Sequence, residues 1–176
     1  MNFTDEVSIR ILAAIADDPE RELYQREIAK LAKVSIGATS QKLRKLSENG
    51  LVSSRKSGRM IFYRYNLYDP VARQLKILLN VSAVHEMVHE LRDHAKRVIL
   101  FGSCAEGTNV KGSDIDLFVL AEDGKKAREI TSAYGAKLSR KVSPIIVSAN
   151  EFRQLRSKDR PLYERITKGI VLWESQ

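Results

Sequence analysis

VILFGSCAEGTNVKGSDIDLFVL, residues 98–120, decides how the C-terminal half of this 176-residue chain is built. Val98 to Phe101 is an apolar run of strand length. Gly102 at its end lets the backbone turn and lets a phosphate approach closely. Ser103 is placed to cap a short following helix, with its hydroxyl and the neighbouring N–H groups turned toward an anion. After ten intervening residues the chain returns as Asp114-Ile115-Asp116-Leu117-Phe118-Val119-Leu120. Side chains alternate along a strand, so Asp114 and Asp116 share one face while Ile115 and Leu117 take the other. Asp is poorly suited to strands, and like charges this close repel. A magnesium ion bound through carboxylates and substrate phosphates removes that conflict. Asp114 and Asp116 are therefore the candidate metal ligands and catalytic residues, and Gly102 and Ser103 the candidate nucleotide-binding pair.

The rest of this half reads as a helix from Lys125 to Leu138, a strand from Val142 to Val147, helices from Asn150 to Arg156 and Pro161 to Thr167, and a last strand from Gly169 to Trp173, whose indole packs or closes the sheet. That is a small mixed sheet with helices. Gly-Ser, ten residues, then Asp-hydrophobic-Asp-hydrophobic between two apolar strands resembles the defining motif of the polymerase-beta-type nucleotidyltransferase superfamily, and residues 93–174 resemble its minimal members. Ser113 also matches the family habit. The resemblance implies that Gly102 and Ser103 contact a nucleoside triphosphate, with ATP the expected one, and that Asp114 and Asp116 hold Mg2+ or Mn2+. It further implies in-line transfer of a nucleoside monophosphate to an acceptor hydroxyl, with two ions about 3.5 to 4 Å apart. A toxin-like protein partner is one acceptor it raises.

The sequence departs from that pattern twice. Active members usually add a third carboxylate from a later strand, and Val142-Ser143-Pro144-Ile145-Ile146-Val147 contains none, with Ser143 or its neighbour at the corresponding place. Glu151, just beyond, reads as the start of a helix. Cys104 and Glu106 stand where relatives often have arginines, leaving Lys111, Arg97 or the Arg140-Lys141 pair to supply positive charge. The alternative to an enzyme is a transcription regulator whose C-terminal domain is inactive and senses a nucleotide.

Upstream, Asp69-Pro70 reads as an N-cap with proline at the first helical position, opening a helix to about Asp93 with Val71, Leu75, Leu78, Leu79, Val84, Val88 and Leu91 at roughly helical spacing. Such a helix links domains or pairs two subunits. His85 and His89 share a face of it with His94 beyond, but no acidic or cysteine ligand completes a metal motif. Further upstream, Asp5 to Ala16 forms a core helix through Val7, Ile11, Leu12 and Ile15. Gln25 to Ala32 and Ile36 to Glu48 form a helix pair with Ser35 as N-cap. Asn49-Gly50 stops the second, and Leu51 to Arg55, the turn Lys56 to Arg59, and Met60 to Tyr65 make a hairpin with a basic tip.

Residues 5–67 resemble winged helix-turn-helix domains of transcription regulators, in particular the arsenic-repressor-like type. The resemblance implies that Gly37, Ala38, Ser40 and Gln41 face base edges of double-stranded DNA, that Arg44 and Lys45 lie near phosphates, and that Arg55, Lys56 and Arg59 of the wing grip the backbone or minor groove. Residues 1–68 hold no Cys or His, so metal sensing of the usual kind is not supported.

Composition agrees with this division. The chain carries a formal charge of +8, and residues 21–67 contain 11 basic against three acidic residues, which favours a polyanionic partner. No apolar stretch reaches membrane-spanning length, and the N-terminus lacks a signal pattern, so no membrane partner and a cytoplasmic location are expected. The one cysteine, Cys104, excludes an internal disulfide framework. The expected organisation is α+β: a winged helix-turn-helix domain over residues 1–68, a linker or dimerisation helix over 69–94 suited to a homodimer, and a nucleotidyltransferase-like domain over 95–176.

Overall fold

The computed structural model describes residues 4–138 and 140–175 and separates into two compact units, Met1–Lys76 and Ile77–Gln176. The first contains α1 (Glu6–Ala16), β1 (Leu23–Tyr24), α2 (Gln25–Ala32), α3 (Ile36–Glu48), β2 (Val52–Ser57), β3 (Met60–Tyr65) and the first residues of α4 (Pro70–Leu91). Its three helices bury Ile11, Leu12, Ile15, Ile28, Leu43 and Leu46 against one another. Asp5 caps α1, accepting from the Ser8 N–H at 3.1 Å, and Ser35 caps α3, accepting from the Ala38 N–H at 3.3 Å.

Three details differ from the sequence reading. The hairpin is tighter than expected: Lys56 pairs with Ile61 and Ser57 with Met60, so only Gly58-Arg59 form the turn, with Gly58 at φ +59°. A third strand, β1, pairs antiparallel with β3. Along α4 the buried positions are Ala72, Lys76, Asn80, Val84, Met87, Val88 and Leu91, whereas Leu78, expected on the apolar stripe, is 57% exposed. Lys76 is interior because its ammonium donates to the carbonyl of Ala16 at 2.6 Å, the last residue of α1, where the helix dipole favours a cation.

The second unit contains the remainder of α4, then β4 (Arg97–Phe101), α5 (Gly102–Glu106), β5 (Ile115–Leu120), α6 (Gly124–Lys137), β6 (Val142–Val147), α7 (Ala149–Lys158), α8 (Arg160–Thr167) and β7 (Ile170–Glu174). The sheet order is β6-β5-β4-β7, with β4 antiparallel to both neighbours and β5 parallel to β6. This mixed sheet with helices has the nucleotidyltransferase-type architecture expected. Strand alternation sends Val98, Leu100, Ile115, Leu117 and Val119 into a core with Val84, Met87, Leu91, Ala127 and Ile130, and Ile99, Phe101 and Phe118 into a second core with Ile166. Pro144 is tolerated because β6 lies at the sheet edge. The Trp173 indole donates to the Ala95 carbonyl at 3.1 Å, tying the last strand to the entry of the first. Among the described residues, no helix is long and apolar enough to cross a membrane.

The Asp5 cap carries a testable cost. The Lys42 ammonium at 2.7 Å, then Ser8, holds the Asp5 carboxyl well below the usual carboxylate range. A depressed native pKa means stabilisation that is complete above the unfolded value near pH 4 and lost as pH falls below it. Asp5→Ala should cost about 1 kcal/mol of protection in native-state hydrogen exchange of α1 at pH 7. The difference from the unaltered protein should shrink toward pH 3.

Candidate functional site

β4 and β5 are in register so that Phe101 and Asp116 are Cα partners. This sets the turn after β4 beside the second carboxylate. Gly102 has φ +67°, and a Cβ at that position would sit 2.4 Å from Asp116 Oδ2. Both the backbone conformation and the space call for glycine. Gly102 and Ser103 are the first two residues of α5, whose N-cap is Phe101. Ser103 is thus inside the first turn rather than at the cap, because Gly102 enters the helix from its left-handed conformation.

Asp114 immediately precedes β5 and Asp116 lies on it; both are half-buried, while Ile115 and Leu117 enter the core. Asp116 is on the same face as Phe118, toward α8. Parallel pairing of β5 with β6 makes Ser143 the Cα partner of Asp116, and the Ser143 hydroxyl donates to Asp114 Oδ2 at 2.8 Å. The place expected for a third carboxylate therefore holds a hydrogen-bond donor. Lys141 adds its ammonium to the same oxygen at 3.0 Å.

The two carboxyls are pushed apart in acidity. The Ser143 hydroxyl, then the Lys141 ammonium, lowers the pKa of Asp114. Desolvation raises that of Asp116, against the Arg165 guanidinium 3.9 Å away, with the Asp114 charge raising it further. Arg165 also lies over the Phe101 ring at 5.7 Å. It is the residue that sequence reasoning missed, since no local pattern joins a position on α8 to Asp116.

The loop between Ser103 and Asp114 is fastened by the buried Asn80 and Asn109 and the half-buried Arg140. Asn80 donates to the Cys104 carbonyl at 2.9 Å and to Asn109 Oδ1 at 2.8 Å. Arg140 donates to the Ser113 carbonyl at 3.1 Å and to Cys104 Sγ at 3.1 Å. Of the residues expected to supply charge, Lys141 reaches the site. Arg140 serves this loop, Arg97 pairs with Glu174 at 3.4 Å at the far end of β4, and Lys111 is exposed in the loop. Glu106 is exposed, and Glu151 completes a capping box with Ser148 at the start of α7.

Asp114 and Asp116 present oxygen donors suited to a hard divalent ion, beside a glycine turn that leaves room for a phosphate. Among the described residues, no group of three or more His, Cys, Asp or Glu is arranged to hold a metal, which includes exposed His85 and His89. The domain is of nucleotidyltransferase type, and among its described residues Asp114 and Asp116 have no third carboxylate beside them.

In the first unit, Gly37, Ser40, Gln41 and Arg44 line one groove with Ser54, Ile61 and Tyr63, so the exposed face of α3 meets the wing. Ala38 is half-buried, and Lys45, Lys56 and Arg59 are exposed. Two expected phosphate contacts have acidic neighbours: Arg44 bonds Glu48 at 2.9 Å, and Arg55 bonds Glu22 at 2.9 Å through Nε.

Residues 82–168 match the family model of the nucleotidyltransferase domain, and residues 2–60 match that of the MarR family. The N-terminal match is thus to the MarR family where the sequence suggested the arsenic-repressor-like type; winged-helix character is common to both readings. A solved toxin–antitoxin structure with AMP-PNP is similar at 29% identity over 55% of this chain and 75% of that one, with a TM-score of 0.41. A mutant MntA-HpeT toxin–antitoxin structure is similar at 30% identity over 52% and 73%, with a TM-score of 0.40.

Two outcomes follow from the site. Gly102→Ala should cost roughly 1 to 2 kcal/mol of stability from the left-handed backbone alone and displace Asp116, which chemical denaturation and the Asp116 carboxyl resonance will register. On acidification, Asp116 should take a proton before Asp114, as followed by 13C carboxyl shifts; the reverse order would refute the assigned environments.

Proposed function

Starting from a winged-helix domain fused to a nucleotidyltransferase domain, we propose that this protein binds double-stranded DNA and transfers a nucleoside monophosphate from a triphosphate, ATP first, to an acceptor hydroxyl. The observation that carries the catalytic half is the Asp114/Asp116 pair set against the Gly102 turn. Mg2+ or Mn2+ bound there would activate the attacking oxygen and stabilise the leaving one. Gly102 and Ser103 take the phosphates, and the two aspartates take the cation. The acceptor oxygen forms a bond to the α-phosphorus, the bond to pyrophosphate breaks, and the hydroxyl proton passes to solvent. The motif's resemblance to minimal nucleotidyltransferases makes a toxin-like protein partner the first acceptor to test.

Ser143 at the register of Asp116 supports a second reading, a regulator that binds nucleotide without transferring it. α-32P-labelled NTPs with Mg2+ or Mn2+, offered protein, RNA and DNA acceptors, distinguish the two. Label incorporated by the unaltered protein and not by the Asp114→Ala, Asp116→Ala double variant is expected for the enzyme. Nucleotide binding without incorporation selects the regulator.

For the N-terminal half, Gly37, Ala38, Ser40 and Gln41 are assigned to base edges, and Arg44, Lys45, Arg55, Lys56 and Arg59 to phosphates. The groove joining α3 to the wing supports this. A homodimer, with α4 as the pairing helix, would present two such faces to paired half-sites. Gln41→Ala with Arg44→Ala should abolish specific duplex binding in gel-shift titrations, and affinity should fall steeply with salt as counterions are released. Tight, salt-insensitive binding by the double variant would overturn the assignment.

A further inference from the structure

Lys141 and Arg165 each lean on one carboxylate of the pair, and neither interaction contributes to a core. Lys141 bonds Asp114 with a side chain 75% exposed; Arg165 approaches Asp116 with a side chain 61% exposed. Exposed ion pairs are weak and exchange easily. The backbones behind them are fixed: the Lys141 carbonyl accepts from the Ile115 N–H at 2.8 Å, and Arg165 lies within α8. Each side chain is therefore an exposed cation on an anchored backbone.

The chemistry of a triphosphate site requires cations close to the Gly102 turn, and the short helix that follows it supplies none. After Gly102-Ser103, the short helix offers buried Cys104 and exposed Glu106 and no cation before Lys111. Arg165 stands over the Gly102 turn, its Nη2 3.6 Å from where a Cβ at that glycine would be. Lys141 stands on the other side, at Asp114. At rest, the two negative and two positive side chains balance. A triphosphate entering without its cation would meet Asp114 and Asp116 still coupled to these partners.

We propose that Lys141 and Arg165 join Gly102 and Ser103 in binding the triphosphate, held against Asp114 and Asp116 at rest and transferred to the nucleotide's phosphates when a divalent cation takes the carboxylates. Ser143 fits this exchange. A hydroxyl there, in place of a third carboxylate, leaves two negative groups for two cations and still holds Asp114 when Lys141 departs. This rests on the nucleotide-binding part of the proposed function and is independent of turnover.

Because Lys141 competes with the cation yet assists the nucleotide, its removal should move two affinities in opposite directions. Mn2+ binding without nucleotide is measured by EPR, and binding of a fluorescent non-hydrolysable ATP analogue with saturating Mn2+ by anisotropy. The proteins are the full-length chain and its Lys141→Gln, Arg165→Gln and Lys126→Gln variants, each checked for fold by circular dichroism. Lys141→Gln should bind Mn2+ several-fold more tightly and the analogue roughly ten- to hundred-fold more weakly, the loss of one charge-assisted contact. Arg165→Gln should also weaken the analogue, and Lys126→Gln, on the outer face of α6, should change neither. Unchanged analogue binding, or both affinities moving together in Lys141→Gln, overturns the exchange while leaving the nucleotide site in place. Failure of the unaltered protein to bind the analogue with Mn2+ removes the proposed function, and the exchange with it.

Discussion

The C-terminal unit is organised by one close approach, Gly102 against the Asp116 carboxylate. It follows from strand pairing, since Phe101 and Asp116 are partners across β4 and β5. The same register that sets this turn also sends Leu100 and Leu117 into one core and Phe101 and Phe118 toward the other. A slip of one residue would turn Asp116 into the core lined by Leu100 and carry Leu117 to the α8 side, where the Phe101 and Phe118 core is packed for other side chains. The hydrophobic effect thus fixes the chemistry: the free energy of burying the alternate residues holds two acidic groups in a position they would not otherwise share.

Where function resides in a strand, the sequence is informative, because period-two alternation states which face each residue takes. Asp114 and Asp116 were visible that way; the carboxylate-free place on β6 was marked only by the resemblance to nucleotidyltransferases, and the pairing of Ser143 with Asp116 gave it its geometry. Caps were equally legible at Ser35 and Asp69, since the residue's own side chain makes the bond. What escaped depends on distant partners. Arg165 meets Asp116 from another helix, and a two-residue strand such as β1 exists only because β3 is there to receive it.

The long helix shows why hydropathy misleads. Its inner seam includes Lys76 and Asn80, polar residues that a periodicity count assigns to solvent, while Leu78 is exposed. Each polar residue is interior because it completes another element: Lys76 the end of α1, Asn80 the loop after Ser103. Burial of such groups is tolerable only with partners. Their partners, not their own character, decide their side of the helix.

Formal charge is a coarse guide for a similar reason. The basic residues of the first unit include Lys42, Arg44 and Arg55, which face Asp5, Glu48 and Glu22. The chain's only cysteine has a different value. Cys104 is 1% exposed, with Arg140 at its sulfur and its own thiol directed to the Asp114 carbonyl at 3.4 Å. A thiol reagent can react only when that loop opens. The protein thus contains a single-site chemical clock, in which the rate of alkylation reports how often the loop holding Asp114 comes apart, without any label being engineered into it.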